Sequence, residues 1–176
     1  MNAVPRERLT RWHDPARIRE VVVERRLSGL EMLAAMAAGE IPPPPVGLLL
    51  GFALEEVEPG RVVFGFAPQE FHDNINGVVH GGVAAAILDT ATGCAIISRL
   101  PFGVNCATLD LKVNYLRSLA ADAPKLSAVG TVIHLGRRSA LAEGRLLTSE
   151  GKLVAHATAT LMIFPPEEPH SRRRGE

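Results

Sequence analysis

The sequence predicts an α+β domain in which an antiparallel sheet of five or six strands wraps around one long central helix. Three observations carry that prediction. The segment "GGVAAAILDTATGCAIISRL", residues 81–100, is built from small and aliphatic residues on nearly every side, the mark of a helix buried around its circumference. Four later segments are alternating or β-branched and are separated by turn residues, and an earlier stretch reads as a hairpin. An antiparallel sheet with one apolar face needs a cover, and the buried helix is the element available to supply it.

The 176 residues are enough for one well-filled core, so a single domain is expected. Asp14 and Pro15 form an N-cap and first-turn pair, after which "PARIREVVVERR" carries apolar residues at helical spacing. Ser28 and Glu31 make a capping box for "GLEMLAAMAA", which stops near Gly39. "IPPPPV" follows as a stiff extended connector. Residues 1–45 are therefore a helical extension with a proline-rich linker, too small to bury a core alone and expected to pack on the main domain.

From Val46 onward "GLLLGFALEEVEPGRVVFGFAP" reads as two strands joined at "EPGR", and "QEFHDNIN" is a polar loop leading into the central helix. That helix is expected to run for about 16 residues from the glycine pair. The last four strands are expected in "NCATLDLKVNYLRS", "KLSAVGTVIHLG", "SALAEGRLLTSE" and "KLVAHATATLMIF", with turns at "AADAP", "GRR" and "SEGK". The main domain thus spans 46–165, and 166–176, which include "HSRRRGE", form a basic, flexible tail.

Nineteen basic and nineteen acidic residues cancel, so no overall field recruits nucleic acid or an anionic membrane. The longest apolar runs are about half of the roughly 20 residues that a membrane span needs, and "MNAVPRERLTRW" lacks a signal-peptide core, so a cytoplasmic protein is expected. Cys94 and Cys106 lie in apolar surroundings without CxxC spacing and are expected to be buried free thiols. His134, His156 and His170 show no metal-ligand spacing, and neither a metal nor a resident cofactor is expected.

Within "NINGVVHGGVAAAILDTA" one carboxylate, Asp89, sits among small residues, with Ala85, Ala86, Thr92 and Gly93 three and four positions away. That face is a channel into which a ligand or a second backbone fits, and a buried unpaired carboxylate is costly without a role or partner. The bland alternative is a solvated helix residue. Gly81 and Gly82, at the helix start, offer backbone N–H groups without intrahelical partners, backed by the positive end of the helix dipole. Such donors suit charge developing on a carbonyl oxygen, and a carboxylate suits activation of water. Asn74 in "DNING" equally suits an Asx turn, and His80 equally suits a backbone-bonded loop histidine. Arg137 and Arg138, in the "LGRRS" turn, present two guanidinium groups that either meet phosphates or are simply solvated.

Asn74, Gly77, His80, Gly81, Gly82 and Asp89 fill the pattern Asn-x-x-Gly-x-x-His-Gly-Gly with an acid eight residues after the first glycine of the pair. In this the chain resembles the hotdog-fold acyl-CoA thioesterases of the PaaI-like, phenylacetate-pathway type, over about Val46 to Phe164. The resemblance implies Asp89 as base or nucleophile, the Gly81 amide as oxyanion donor, and Asn74 as a group positioning the carbonyl or water. It also implies that His80 shapes the loop and supports the thioester, and that Thr108 occupies the place of a hydroxyl holding the attacking water. Gly82, Arg137 and Arg138 are the expected contacts for coenzyme A, which enters only as part of the substrate. A homodimer, or a dimer of dimers, with the site between chains is implied too. Two other readings stay open: a hydratase or dehydratase on the same fold, and a non-catalytic acyl-CoA-binding protein. The acyl group, aromatic or medium-chain, is left undecided.

Overall fold

The computed structural model describes residues 6–166. Helix α1 (Pro15–Glu24) starts where the Asp14 carboxylate accepts the Ala16 N–H at 2.9 Å, and α2 (Gly29–Ala37) starts at the expected Ser28–Glu31 capping box. Glu31 accepts both the hydroxyl and the amide of Ser28 at 2.7 Å, and these bonds hold its carboxyl below the usual carboxylate range. Ile18, Ala35 and Ile41 form a small cluster that ties α1 to α2.

The strand expected from Val46 does not begin there. Pro45–Leu50 form a short helix, α3, and β1 runs only over Phe52–Glu58. Proline in a first turn has its φ preset and gives up only a donor that a helix start leaves unused. Gly51 closes α3 at φ 71°, a left-handed conformation that glycine adopts without a side-chain clash. The apolar run "GLLL" suits one helical turn as well as a strand, so periodicity does not separate the two. The extended connector accordingly ends at Pro44.

The remaining elements follow the sequence reading closely. They are β2 (Arg61–Phe66), a 3-10 turn at Glu70–His72, α4 (Gly81–Ile97), β3 (Asn105–Tyr115), β4 (Leu126–Leu135), β5 (Ser139–Leu147) and β6 (Leu153–Phe164). The six strands form one sheet in the order β1-β2-β4-β5-β6-β3, with every neighbouring pair antiparallel. Helix α4, 17 residues long, touches all six strands, so the sheet wraps it in the hotdog arrangement. Ile87, Leu88, Ala91 and Ala95 of α4 are fully buried against Val62, Leu126, Leu146 and Ala157 of the sheet.

Helix and sheet meet most closely where Gly130 of β4 pairs with Gly144 of β5. A Cβ on Gly130 would overlap the Ala91 carbonyl, so the glycine lets the backbone of α4 rest on the sheet. Helix α2 is set on α4 in the same way. The Gly29 N–H donates to the Leu100 carbonyl at 3.0 Å, and any side chain at Gly29 would overlap Ile97. Leu33 of α2 consequently belongs to the main core. The basic tail lies, from residue 167 on, outside the described residues.

Candidate active site

His80 caps α4: its Nδ1 accepts the Gly82 N–H at 2.9 Å. One amide of the glycine pair is therefore already engaged by the histidine. The Gly81 N–H is left without an acceptor among the described residues, at the positive end of the helix dipole. Tyr115, at the end of β3, donates its hydroxyl to the Gly81 carbonyl at 2.9 Å and lies close enough to the glycine that a Cβ there would touch its ring at 3.2 Å. An open groove of about 390 Å³ runs past Gly81, with Val79, Tyr115, Leu116 and Leu119 among its walls.

Asp89 is half-buried on α4, and Thr108 of β3 donates its hydroxyl to Asp89 Oδ1 at 2.9 Å. The sequence pairs neither Thr108 nor Tyr115 with this helix unambiguously, because simple alternation sets residues 108 and 115 on opposite faces of a strand. A bulge resolves the matter. In the pairing of β3 with β6, Thr108 faces Leu161 and Asp110 faces Thr160, which leaves Leu109 as an extra residue. The extra residue inverts the alternation, so Thr108 and Tyr115 both reach α4.

The loop before α4 is tightly bonded. Asn74 Oδ1 accepts the Asn76 N–H at 2.8 Å in an Asx turn, and the Asn74 backbone bonds Val78 and Gly77. Behind the loop lies His72, which sequence reasoning missed. It is buried, with Nδ1 accepting from the Gln69 amide at 2.9 Å and Nε2 at 3.0 Å from the Leu50 carbonyl, so the proton belongs on Nε2. Its carbonyl accepts the His80 N–H at 2.8 Å. Burial pushes the His72 pKa down, with Arg8 adding to the effect and the Leu50 bond and Asp73 opposing it. Only its place beside a hydrophobic residue in an otherwise polar loop hinted at burial.

Asn74, His80, Gly81 and Gly82 thus gather at the N-terminus of α4, whereas Asp89 and Thr108 gather two turns further along it. Arg137 and Arg138 stand apart, exposed at the β4–β5 turn on an open groove of about 850 Å³ whose wall includes Leu109 of the bulge. Cys94 and Cys106 are free thiols, pushed up by burial to about 12 and about 11. Among the described residues no three His, Cys, Asp or Glu side chains are grouped to hold a metal, and no helix is long and apolar enough to cross a membrane.

Helix α4 thus carries a donor corner at its start and a hydroxyl-held carboxylate two turns on, inside a sheet that wraps it in the hotdog arrangement. Residues 76–155 match the thioesterase superfamily. A Halobacterium salinarum protein that carries an esterase name is 38% identical over 109 residues, which span 58% of this chain and 70% of the relative. The medium/long-chain acyl-CoA thioesterase YigI of Escherichia coli K12 is 28% identical over 137 residues, 68% of this chain and 85% of the relative. The crystal structure of a phenylacetic acid degradation-related protein from Ralstonia eutropha JMP134 superposes with a TM-score of 0.67 at 32% identity, covering 74% of this chain and 98% of that one. The chain belongs to the thioesterase superfamily, among the hotdog-fold acyl-CoA thioesterases of PaaI-like type, and is a thioester hydrolase.

Proposed function

We propose that the protein hydrolyses acyl- or aryl-acyl-coenzyme A to the free carboxylic acid and coenzyme A, with Asp89 as base or nucleophile. The observation that carries the proposal is the Thr108–Asp89 hydrogen bond, which fixes a carboxylate on a face of small residues. In one route Asp89 takes a proton from water as the water oxygen bonds to the thioester carbonyl carbon. The Gly81 N–H then stabilises the oxyanion, and collapse expels the coenzyme A thiolate. In the other, an Asp89 oxygen attacks the carbonyl itself, the thiolate leaves, and water opens the resulting anhydride. Both consume one water and release the same products.

Eight residues at about 1.5 Å each separate Gly81 and Asp89 by roughly 12 Å along the helix, too far to serve one carbonyl carbon within a chain. A two-fold dimer with its α4 helices antiparallel brings Gly81 and Asn74 of one chain to Asp89 of the other, twice by symmetry. In that arrangement His80 holds the Gly82 amide and so presents Gly81, while Arg137 and Arg138 receive coenzyme A phosphates at the rim.

The test is release of coenzyme A thiol by Asp89→Asn. Asparagine keeps the shape and an acceptor for Thr108 but is neither base nor nucleophile, so turnover is expected to fall by about 100-fold or more with an unchanged melting temperature. A loss of only a few-fold overturns the role of Asp89.

A further inference from the structure

A cavity of about 460 Å³ lies between α2, the first hairpin and α4, walled by Met32, Met36, Phe64, Thr90, Cys94 and Ile97 among others. It opens to solvent at a rim that includes Gly39, Pro43 and Pro44, and its walls are mainly apolar, as in a site for an apolar ligand. None of its lining residues carries a charged side chain. The Thr90 hydroxyl is committed to the Ala86 carbonyl at 2.8 Å, and the Cys94 thiol stays neutral. No side chain of the wall therefore offers a charge to a carboxylate buried within it, which would be left unpaired at a cost.

The cavity meets α4 at Thr90, the residue after Asp89, and again one turn later at Cys94. The charge of Asp89 contributes to the raised Cys94 pKa, so the carboxylate is within electrostatic reach of the wall. On size, a cavity of about 150 Å³ takes one benzene, or about 25 Å³ per carbon, which gives this one room for a dozen carbons or more. A phenylacetyl group would leave about half of it empty. Methionine side chains fill irregular space adaptably, as a wall facing a flexible chain requires.

We propose that this cavity receives the acyl chain of the substrate, and that the acyl groups are aliphatic, with about a dozen carbons or more. The inference rests on thioester hydrolysis at Asp89 as proposed above. It also assigns a role to the N-terminal helices, because α2, seated on α4 through Gly29, is the wall that sets chain length.

The experiment follows thiol release from butanoyl-, octanoyl-, dodecanoyl- and phenylacetyl-coenzyme A by the full chain, with dodecanoate binding measured in parallel by calorimetry. Wild-type kcat/KM is expected to rise by up to about fourfold per added methylene, with dodecanoyl above phenylacetyl. Met36→Trp is expected to cut kcat/KM for dodecanoyl by about tenfold or more, to leave butanoyl within about twofold, and to abolish dodecanoate binding. Met36→Ala, which removes bulk, is expected to move the optimum to longer chains. Equal effects of Met36→Trp on every chain length, or a phenylacetyl preference in the wild type, overturn the proposal. If no thioester is cleaved, hydrolysis fails as the function while dodecanoate binding still decides the cavity. Binding that Met36→Trp leaves intact overturns it.

Discussion

The Thr108 hydroxyl occupies one oxygen of Asp89, so the other is the oxygen left to take a proton or form a bond. Removing the hydroxyl frees the carboxylate to rotate and to be solvated. Thr108→Val is expected to lower kcat by about 10- to 100-fold, the scale of a hydrogen bond to a charged group, while Thr108→Ser restores most of it. Steady-state kinetics of the two variants decide this, and equal activities would show that the hydroxyl has no part in turnover. The placement of Asp89 on α4 and of Gly81 at its start is legible in the sequence because a lone carboxylate among alanines and a glycine pair opening a helix are local patterns. Tyr115 is not, since the bulge that turns it toward Gly81 depends on how β3 pairs with a strand some 50 residues away. Asn74 shows the limit from the other side: the motif includes it, yet its side-chain oxygen bonds the Asn76 amide within its own turn.

At the scale of elements, His72 pins α3 to the loop that feeds α4, through Leu50 on one side and His80 on the other. Its neutral ring must accept from Gln69, and protonation would break that bond. The folded pKa lies below the usual histidine value, so the unfolded chain binds the proton first as pH falls. The stabilisation is therefore complete above about 6.5 and is lost as the pH drops from there through the folded value. His72→Gln is expected to be less stable than wild type at neutral pH, with a deficit that shrinks towards pH 5, read from urea unfolding at each pH. A deficit equal at both ends would remove His72 as the titrating group. The same region holds the one misread element. Turn chemistry placed α1, α2, α4 and the later strands, each with a cap or turn residue at its end. "PPPPVGLLLG" carries both a strand-like apolar run and a helix-starting proline, and the chain takes the helix, closed at Gly51 with Gly47 close to Phe52.

At the scale of the whole molecule, β3 is an edge strand that exposes Leu109 and Tyr115, and Leu116 just beyond it, each more than half accessible. A site shared between chains predicts a specific result on mixing. Gly81→Val crowds the oxyanion corner and Asp89→Ala removes the carboxylate, so each homodimer is expected to be inactive. Random pairing makes about half of the dimers mixed, each with one intact site, and co-expression restores roughly a quarter of wild-type activity. A co-expressed mixture as inactive as its parents would place each site within a single chain.

Strand β3 holds Asp89 through Thr108 and Gly81 through Tyr115, and it is also the edge that a neighbour would join. Whatever docks on the edge and whatever fills the site then act on the same strand, and their effects are reciprocal: the factor by which association tightens ligand is the factor by which ligand tightens association. In the shared-site dimer proposed above, dilution would switch the enzyme off and substrate would hold it together.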